Sequence, residues 1–206
     1  ALPISLADCE SDWLMKFHPA KCNIMRITKS KTPLIFDYTL RNHKLDSVNE
    51  AKYLGVTIAN DLSWTSHINN VTTKANRSLG LIRRNLKKAP TDTKVLAYKA
   101  LVRPNLEYCA SVWDPHTKKD KHQLEMVQRR AARFVTNRYH NTSSVSDMLH
   151  SLQWPSLETR RTYIRLNMFY KIVNDLLVIP SLQYFTPRPP TNSQFPSFII
   201  PPLSEF

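Results

Sequence analysis

The side chains in this sequence with the clearest chemistry are cations set at helical spacing. Lys74, Arg77, Arg83, Arg84, Lys87 and Lys88 surround one apolar stripe, and Arg129, Arg130 and Arg133 flank another. Guanidinium and ammonium groups in such rows bind phosphate backbones, and unpaired like charges on packed helices repel unless a polyanion neutralises them. Between Ser63 and His140 there are 16 Lys/Arg and 5 Asp/Glu, which places +11 of the total +13 in that segment. The excess favours nucleic acid as the partner. A membrane surface is the weaker candidate, because no segment is both cationic and continuously apolar. With no base-reading motif, the expected contacts go to backbone phosphates, which position without specifying.

Other chemistries find little support. Two-metal phosphoryl transfer needs closely spaced carboxylates, and no Asp-Asp pair occurs; Asp8 and Glu10 are two apart, on different faces of a helix. The seven histidines show no HExxH spacing, and no serine stands in a GxSxG elbow. Gly55 and Gly80 are the whole glycine complement, which excludes GxGxxG and GxxxxGK phosphate loops. Cys9, Cys22 and Cys109 are odd in number and without a CxxC, so they read as reduced thiols of an intracellular protein, nuclear or cytoplasmic. Cys22 beside Lys21 reads as a half-buried strand cysteine rather than a reactive one. Neither a signal peptide nor an apolar run long enough to span a membrane is apparent.

The elements that would carry these residues fall into three parts. Residues 1–62 read as one helix (2–17) and about three antiparallel strands: Cys22–Thr28, Leu34–Leu40 with a turn near Asn42-His43, and Tyr53–Ile58 with Gly55 inside it. So thin a core is expected of the end of a larger sheet domain, and a chain opening at Ala1 inside a helical pattern is expected of a fragment. Residues 63–178 read as helices only. Trp64, Ile68, Val71, Ala75, Leu79, Ile82 and Leu86 form one stripe at steps of four and three. A second helix is capped at Thr91 and is either kinked or split at Pro104, continuing to Trp113 before Asp114-Pro115. A third carries Leu124, Val127, Ala131, Phe134 and Val135. A short one follows at Val145–Leu152, and a last one starts at Ser156 as N-cap and runs to Leu176. Residues 179–206 hold seven prolines and only two charges, Arg188 and Glu205, and read as an extended tail unable to form ladders. The fold class is therefore α+β: a small sheet piece, an irregular all-α bundle and a Pro-rich tail.

In order along residues 10–178, several motifs resemble the C-terminal part of the reverse transcriptase of non-LTR, jockey-like retrotransposons. They are Trp13-Leu14-Met15-Lys16-Phe17 with Lys21-Cys22, then Lys52-Tyr53-Leu54-Gly55-Val56, and Tyr98-Lys99-Ala100-Leu101-Val102-Arg103-Pro104 with Glu107-Tyr108. Further on stand Val112-Trp113-Asp114-Pro115, Gln128-Arg129-Arg130-Ala131-Ala132-Arg133-Phe134 and Leu157-Glu158-Thr159-Arg160-Arg161. His18 departs from the family's usual Asn after the Phe.

The resemblance implies that the sheet piece is the end of the palm and that Lys21 is a general acid toward the pyrophosphate leaving group. It makes Tyr53-Leu54-Gly55 a primer grip, and the basic helices the thumb and the region beyond, clamping a template–primer duplex of RNA and DNA. The family's catalytic aspartates would lie upstream of residue 1. The chain alone is therefore expected to hold no cofactor and not to polymerise, with Mg2+ bound only by the intact polymerase and the rest of the palm and fingers as structural partner. Two other readings share these residues: a domesticated, stand-alone RNA- or DNA-binding protein, and a remnant of a truncated element whose palm edge would be exposed.

Overall fold

The computed structural model describes residues 12–28, 30, 32, 35–140 and 142–179, with the backbone of 186–187 and 198–199. The chain divides into two compact units, residues 1–71 and 72–206.

In the first unit the strands are shorter than the apolar runs suggest. A 3-10 turn at Pro19–Lys21 leads into β1 (Asn23–Ile24), which pairs in parallel with β4 (Asp46–Ser47). The parallel pairing corrects the antiparallel expectation. The connection reverses twice through the hairpin β2 (Thr39–Leu40) and β3 (His43–Lys44), and so returns the chain in its original direction. Arg41 and Asn42 form that hairpin's turn, both at positive φ (51° and 61°). Arg26 braces the crossover, donating from Nη1 to Ser47 Oγ at 2.8 Å and from Nη2 to the Phe36 carbonyl at 2.7 Å. The helix expected over 2–17 falls mostly outside the described residues. Asp12 and Trp13 are helical, and Leu14 at φ 50° ends that helix before Phe17.

A second correction concerns Tyr53–Ile58, which is not one strand. β5 (Glu50–Tyr53) and β6 (Val56–Ala59) form an antiparallel hairpin in which Tyr53 faces Val56. Leu54 (φ 46°) and Gly55 (φ 88°) make the two-residue turn. Tight hairpin turns need left-handed backbone at both central positions, so the glycine marks a reversal rather than a bulge. β6 buries Val56 and Ala59, and the first turns of α1 (Thr65–Asn85) bond to the hairpin. His67 Nδ1 accepts the Thr57 amide at 3.2 Å, Asn70 donates to Thr57 Oγ1 at 3.3 Å, and Ser66 donates to Glu50 at 2.7 Å. Burial holds the His67 imidazole below its ordinary pKa, in keeping with an acceptor nitrogen on a backbone amide.

The second unit is helical. The stripe on α1 reaches it with Ala75, Leu79 and Ile82, all buried. Next comes one continuous helical run: α2 (Thr91–Ala97), a π-helical turn (Tyr98–Val102) and α3 (Arg103–Glu107). Pro104 stands in the first turn of α3, directly after a π turn in which the Arg103 amide donates to the Tyr98 carbonyl. The N-cap is Pro90, one residue before the expected Thr91. The run stops at Glu107 rather than Trp113. Tyr108 is extended and Cys109 has φ 54°, so Trp113 is buried by a turn that lets its Nε1 donate to the Tyr108 carbonyl at 2.8 Å.

Three capped helices complete this unit. α4 (Lys118–Thr136) starts where Thr117 Oγ1 accepts the Asp120 amide and ends at Asn137 in the left-handed region. α5 (Val145–Ser151) is capped by Ser144, and α6 (Leu157–Val173) by the expected Ser156. Each such cap contributes about 1 kcal/mol. The core gathers Val102, Leu106, Leu124, Val127, Ala131 and Met148 around Tyr98, which stacks on Trp154 at 4.3 Å. The Tyr98 hydroxyl donates to Gln128 Oε1 at 2.9 Å, and Gln128 Nε2 donates to the Pro155 carbonyl at 2.9 Å, so these two buried side chains are satisfied. Burial raises the Tyr98 phenol well above its ordinary range.

The Pro-rich tail lies outside the described residues save for β7 (Thr186–Pro187) and β8 (Phe198–Ile199), an antiparallel pair. That ladder corrects the expectation of none: in a two-stranded pair both strands are edges, where proline is tolerated.

Candidate nucleic-acid interface

The helical geometry of α1 decides which cations meet. Thr73, Asn76, Arg77, Gly80 and Arg84 share one face of the helix, each three or four residues from another, and line a shallow groove of about 460 Å3. Gly80 and Arg84 also border a second pocket of about 550 Å3, shared with Arg83, Lys87, Lys94, Phe134, Asn137 and Tyr139. A Cβ at position 80 would lie 3.6 Å from Arg84 Nη1, an ordinary contact. Arg130 on α4 donates to Asn76 at 3.2 Å, and Gln123 donates to Thr72 Oγ1 at 2.9 Å, so α4 holds this stretch of α1 in place.

The charge on this face is uncompensated. Among the described residues no carboxylate pairs with Arg77, Arg83, Arg84, Lys87, Lys94 or Arg130. Three carboxylates of this unit are engaged elsewhere. Glu107 binds Arg160, with Arg160 Nη2 at 3.1 Å, and Arg103 at 3.6 Å. Asp114 takes Arg161 and Arg165, each at 2.9 Å, and Glu158 takes Lys121 at 2.7 Å. The Glu107 pairing raises the Arg160 guanidinium above its ordinary pKa.

Of the residues singled out from the sequence, Arg77, Arg83, Arg84 and Lys87 converge here, with Arg130 alongside. Lys74 and Lys88 are exposed but line neither pocket. Arg129 and Arg133 are half-buried on α4. Lys21 is exposed on its 3-10 turn in the first unit, and Cys22 Sγ lies 3.4 Å from the His18 carbonyl. Tyr53 and Leu54 project at the hairpin tip, 67% and 73% exposed, with Gly55 exposed beside them.

Four lining residues escaped the sequence reading: Lys94, Phe134 as a pocket wall, Asn137 and Tyr139. Lys94 is only 6% exposed, with its ammonium 5.2 Å from the centre of the Phe134 ring. Its signal was present, since it stands one turn before buried Tyr98 on the inward stripe of α2. Asn137 could be read as an αL helix end. Among the described residues no three His, Cys, Asp or Glu side chains converge to hold a metal ion, and no helix is long and apolar enough to cross a membrane.

Comparison with known proteins bears on this surface. Over 129 residues, 61% of this chain, the sequence is 27% identical to the probable RNA-directed DNA polymerase from transposon BS of Drosophila melanogaster. Over 95 residues, 43% of the chain, it is 26% identical to the probable RNA-directed DNA polymerase from transposon X-element of the same organism. The matched stretches cover 14% and 10% of those proteins, so the chain spans only a small part of the length of the curated relatives it matches. No family model and no solved structure matches. The retrotransposon polymerase resemblance carried by the sequence motifs is supported, and the chain is related to part of such a polymerase.

Proposed function

We propose that this chain binds nucleic acid as the thumb and primer-grip portion of an RNA-directed DNA polymerase, with the α1 face following the backbone of a template–primer duplex. The observation that carries the reading is the set of Arg77, Arg83, Arg84 and Lys87, which no carboxylate pairs among the described residues, while Glu107, Asp114 and Glu158 pair with other cations. Cations one and two helical turns apart on one helix match a polyphosphate, and each phosphate neutralised releases counterions. In the first unit, the tight turn Leu54-Gly55 holds Tyr53 and Leu54 out of their own hairpin's core, which suits a grip on a primer end. Lys21 keeps its general-acid role only within an intact polymerase, where a bound nucleotide and Mg2+ would supply the leaving group and its activation.

The sheet piece also suits a larger palm. Trp13, Met15, Ile35, Phe36 and Tyr38 are all more than half exposed, and large apolar side chains left in water suit an interaction surface. Seating that surface against the remaining palm and fingers is part of the same proposal.

Titration of duplex binding against salt tests the reading. Affinity for an RNA–DNA hybrid is expected to fall steeply on a log–log plot. Replacing Arg83, Arg84 and Lys87 with Ala is expected to lower the slope by roughly 2–3, about one per lost phosphate contact. A nearly flat plot for the unsubstituted chain would remove the α1 face as the contact surface.

A further inference from the structure

The pocket at the C-terminal end of α1 has features that backbone contact with a duplex does not call for. A duplex needs cations. Here the cations Arg83, Arg84, Lys87 and Lys94 surround a ring and a carboxamide, Tyr139 and Asn137. Tyr139 is 49% exposed, and the Asn137 carboxamide stands exposed at the αL end of α4. The faces of paired bases are hidden in the stack, so an exposed ring gains little from a duplex and much from an unpaired base. The volume of about 550 Å3 lies within the roughly 300–1,000 Å3 usual for small-ligand pockets.

Lys94 supplies an independent observation. It is 94% buried, and among the described residues it has neither a carboxylate partner nor a hydrogen bond, only the Phe134 ring at 5.2 Å. A largely buried lysine whose ammonium has no counter-ion is costly unless an anion can reach it. The pocket it lines gives that anion a way in.

We infer that this pocket holds one unpaired nucleotide of a single-stranded stretch, with its base against Tyr139, its edge within reach of Asn137, and its phosphates among Arg83, Arg84, Lys87 and Lys94. The inference rests on the helical unit being a nucleic-acid surface and adds that part of this surface selects single strand. No bond is made or broken.

The test compares, on the full chain, anisotropy of labelled oligothymidylate, oligouridylate, an abasic strand of equal length and charge, and a duplex. The base-bearing strands are expected to bind about tenfold more tightly than the abasic one, the size of one base–aromatic stack. Tyr139→Ala is expected to abolish the preference while leaving duplex binding unchanged, and Tyr139→Phe to retain it. Lys94→Met is expected to weaken base-bearing and abasic strands alike, because it removes a phosphate contact and not a base contact. Equal binding of thymidylate and abasic strands overturns the inference, as does a Tyr139→Ala loss shared equally by every probe. Loss of duplex binding alone, with the base preference intact, would sink the template–primer reading and leave this pocket standing.

Discussion

Arg161 on α6 and Arg84 on α1 are the same side chain in the same compact unit, yet their surroundings oppose each other. Arg161 is 1% exposed, and its Nε donates to Asp114 at 2.9 Å. Arg84 is exposed, borders two pockets and, among the described residues, has no carboxylate partner. The first closes a core and the second leaves charge on the surface. Net charge therefore says little about which arginines meet a ligand. What separates them is whether the fold brings a carboxylate to them.

The largest expected effect comes from breaking the buried pair. Asp114→Ala strands the Arg161 guanidinium, whose Nη1 already has no hydrogen bond among the described residues, and removes the Arg165 contact. Urea denaturation is expected to show a loss of about 3–5 kcal/mol. Adding Arg161→Met should recover most of that loss, because an apolar replacement leaves no orphaned charge. A small loss for Asp114→Ala would mean that water reaches Arg161 and that the contrast with Arg84 is weaker than the geometry indicates.

Arg83→Ala with Arg84→Ala should give the converse. Stability is expected to stay within about 0.5 kcal/mol, since exposed unpaired cations contribute little and repel one another. Duplex binding should weaken and its salt slope fall. A large loss of stability would show that the α1 face is structural. The smallest effect is expected at Lys44, whose ion pair with Asp37 at 2.8 Å is about two-thirds exposed on both sides. Lys44→Ala should change stability by less than about 0.5 kcal/mol, which makes exposure rather than pairing the variable that decides the cost.

Legibility followed the range of the signals. The α1 stripe could be read because Ala75, Leu79 and Ile82 recur at helical steps, and the Ser156 cap because serine precedes an apolar-periodic run. The Tyr53–Ile58 hairpin was missed because Leu54-Gly55 is not a usual Asn-Gly turn and an apolar residue occupies its first left-handed position. Trp113 keeps helical spacing with Leu106 and Ala110 but reaches the core through a turn, so periodicity overran the true helix end at Glu107. The parallel pairing of β1 with β4 depends on a crossover through a hairpin, which no local pattern encodes.

By itself the sequence determined that a basic, amphipathic helical half follows a thin sheet piece, because periodicity and charge are local properties of the chain. Tertiary structure alone decided which cations remain unpaired. Glu107 meets Arg160 across 53 residues and Asp114 meets Arg161 across 47, separations at which only packing brings opposite charges together. It also decided that Lys94, Asn137 and Tyr139 join Arg83 and Arg84 around one pocket, because that requires α2 and the end of α4 to converge on α1.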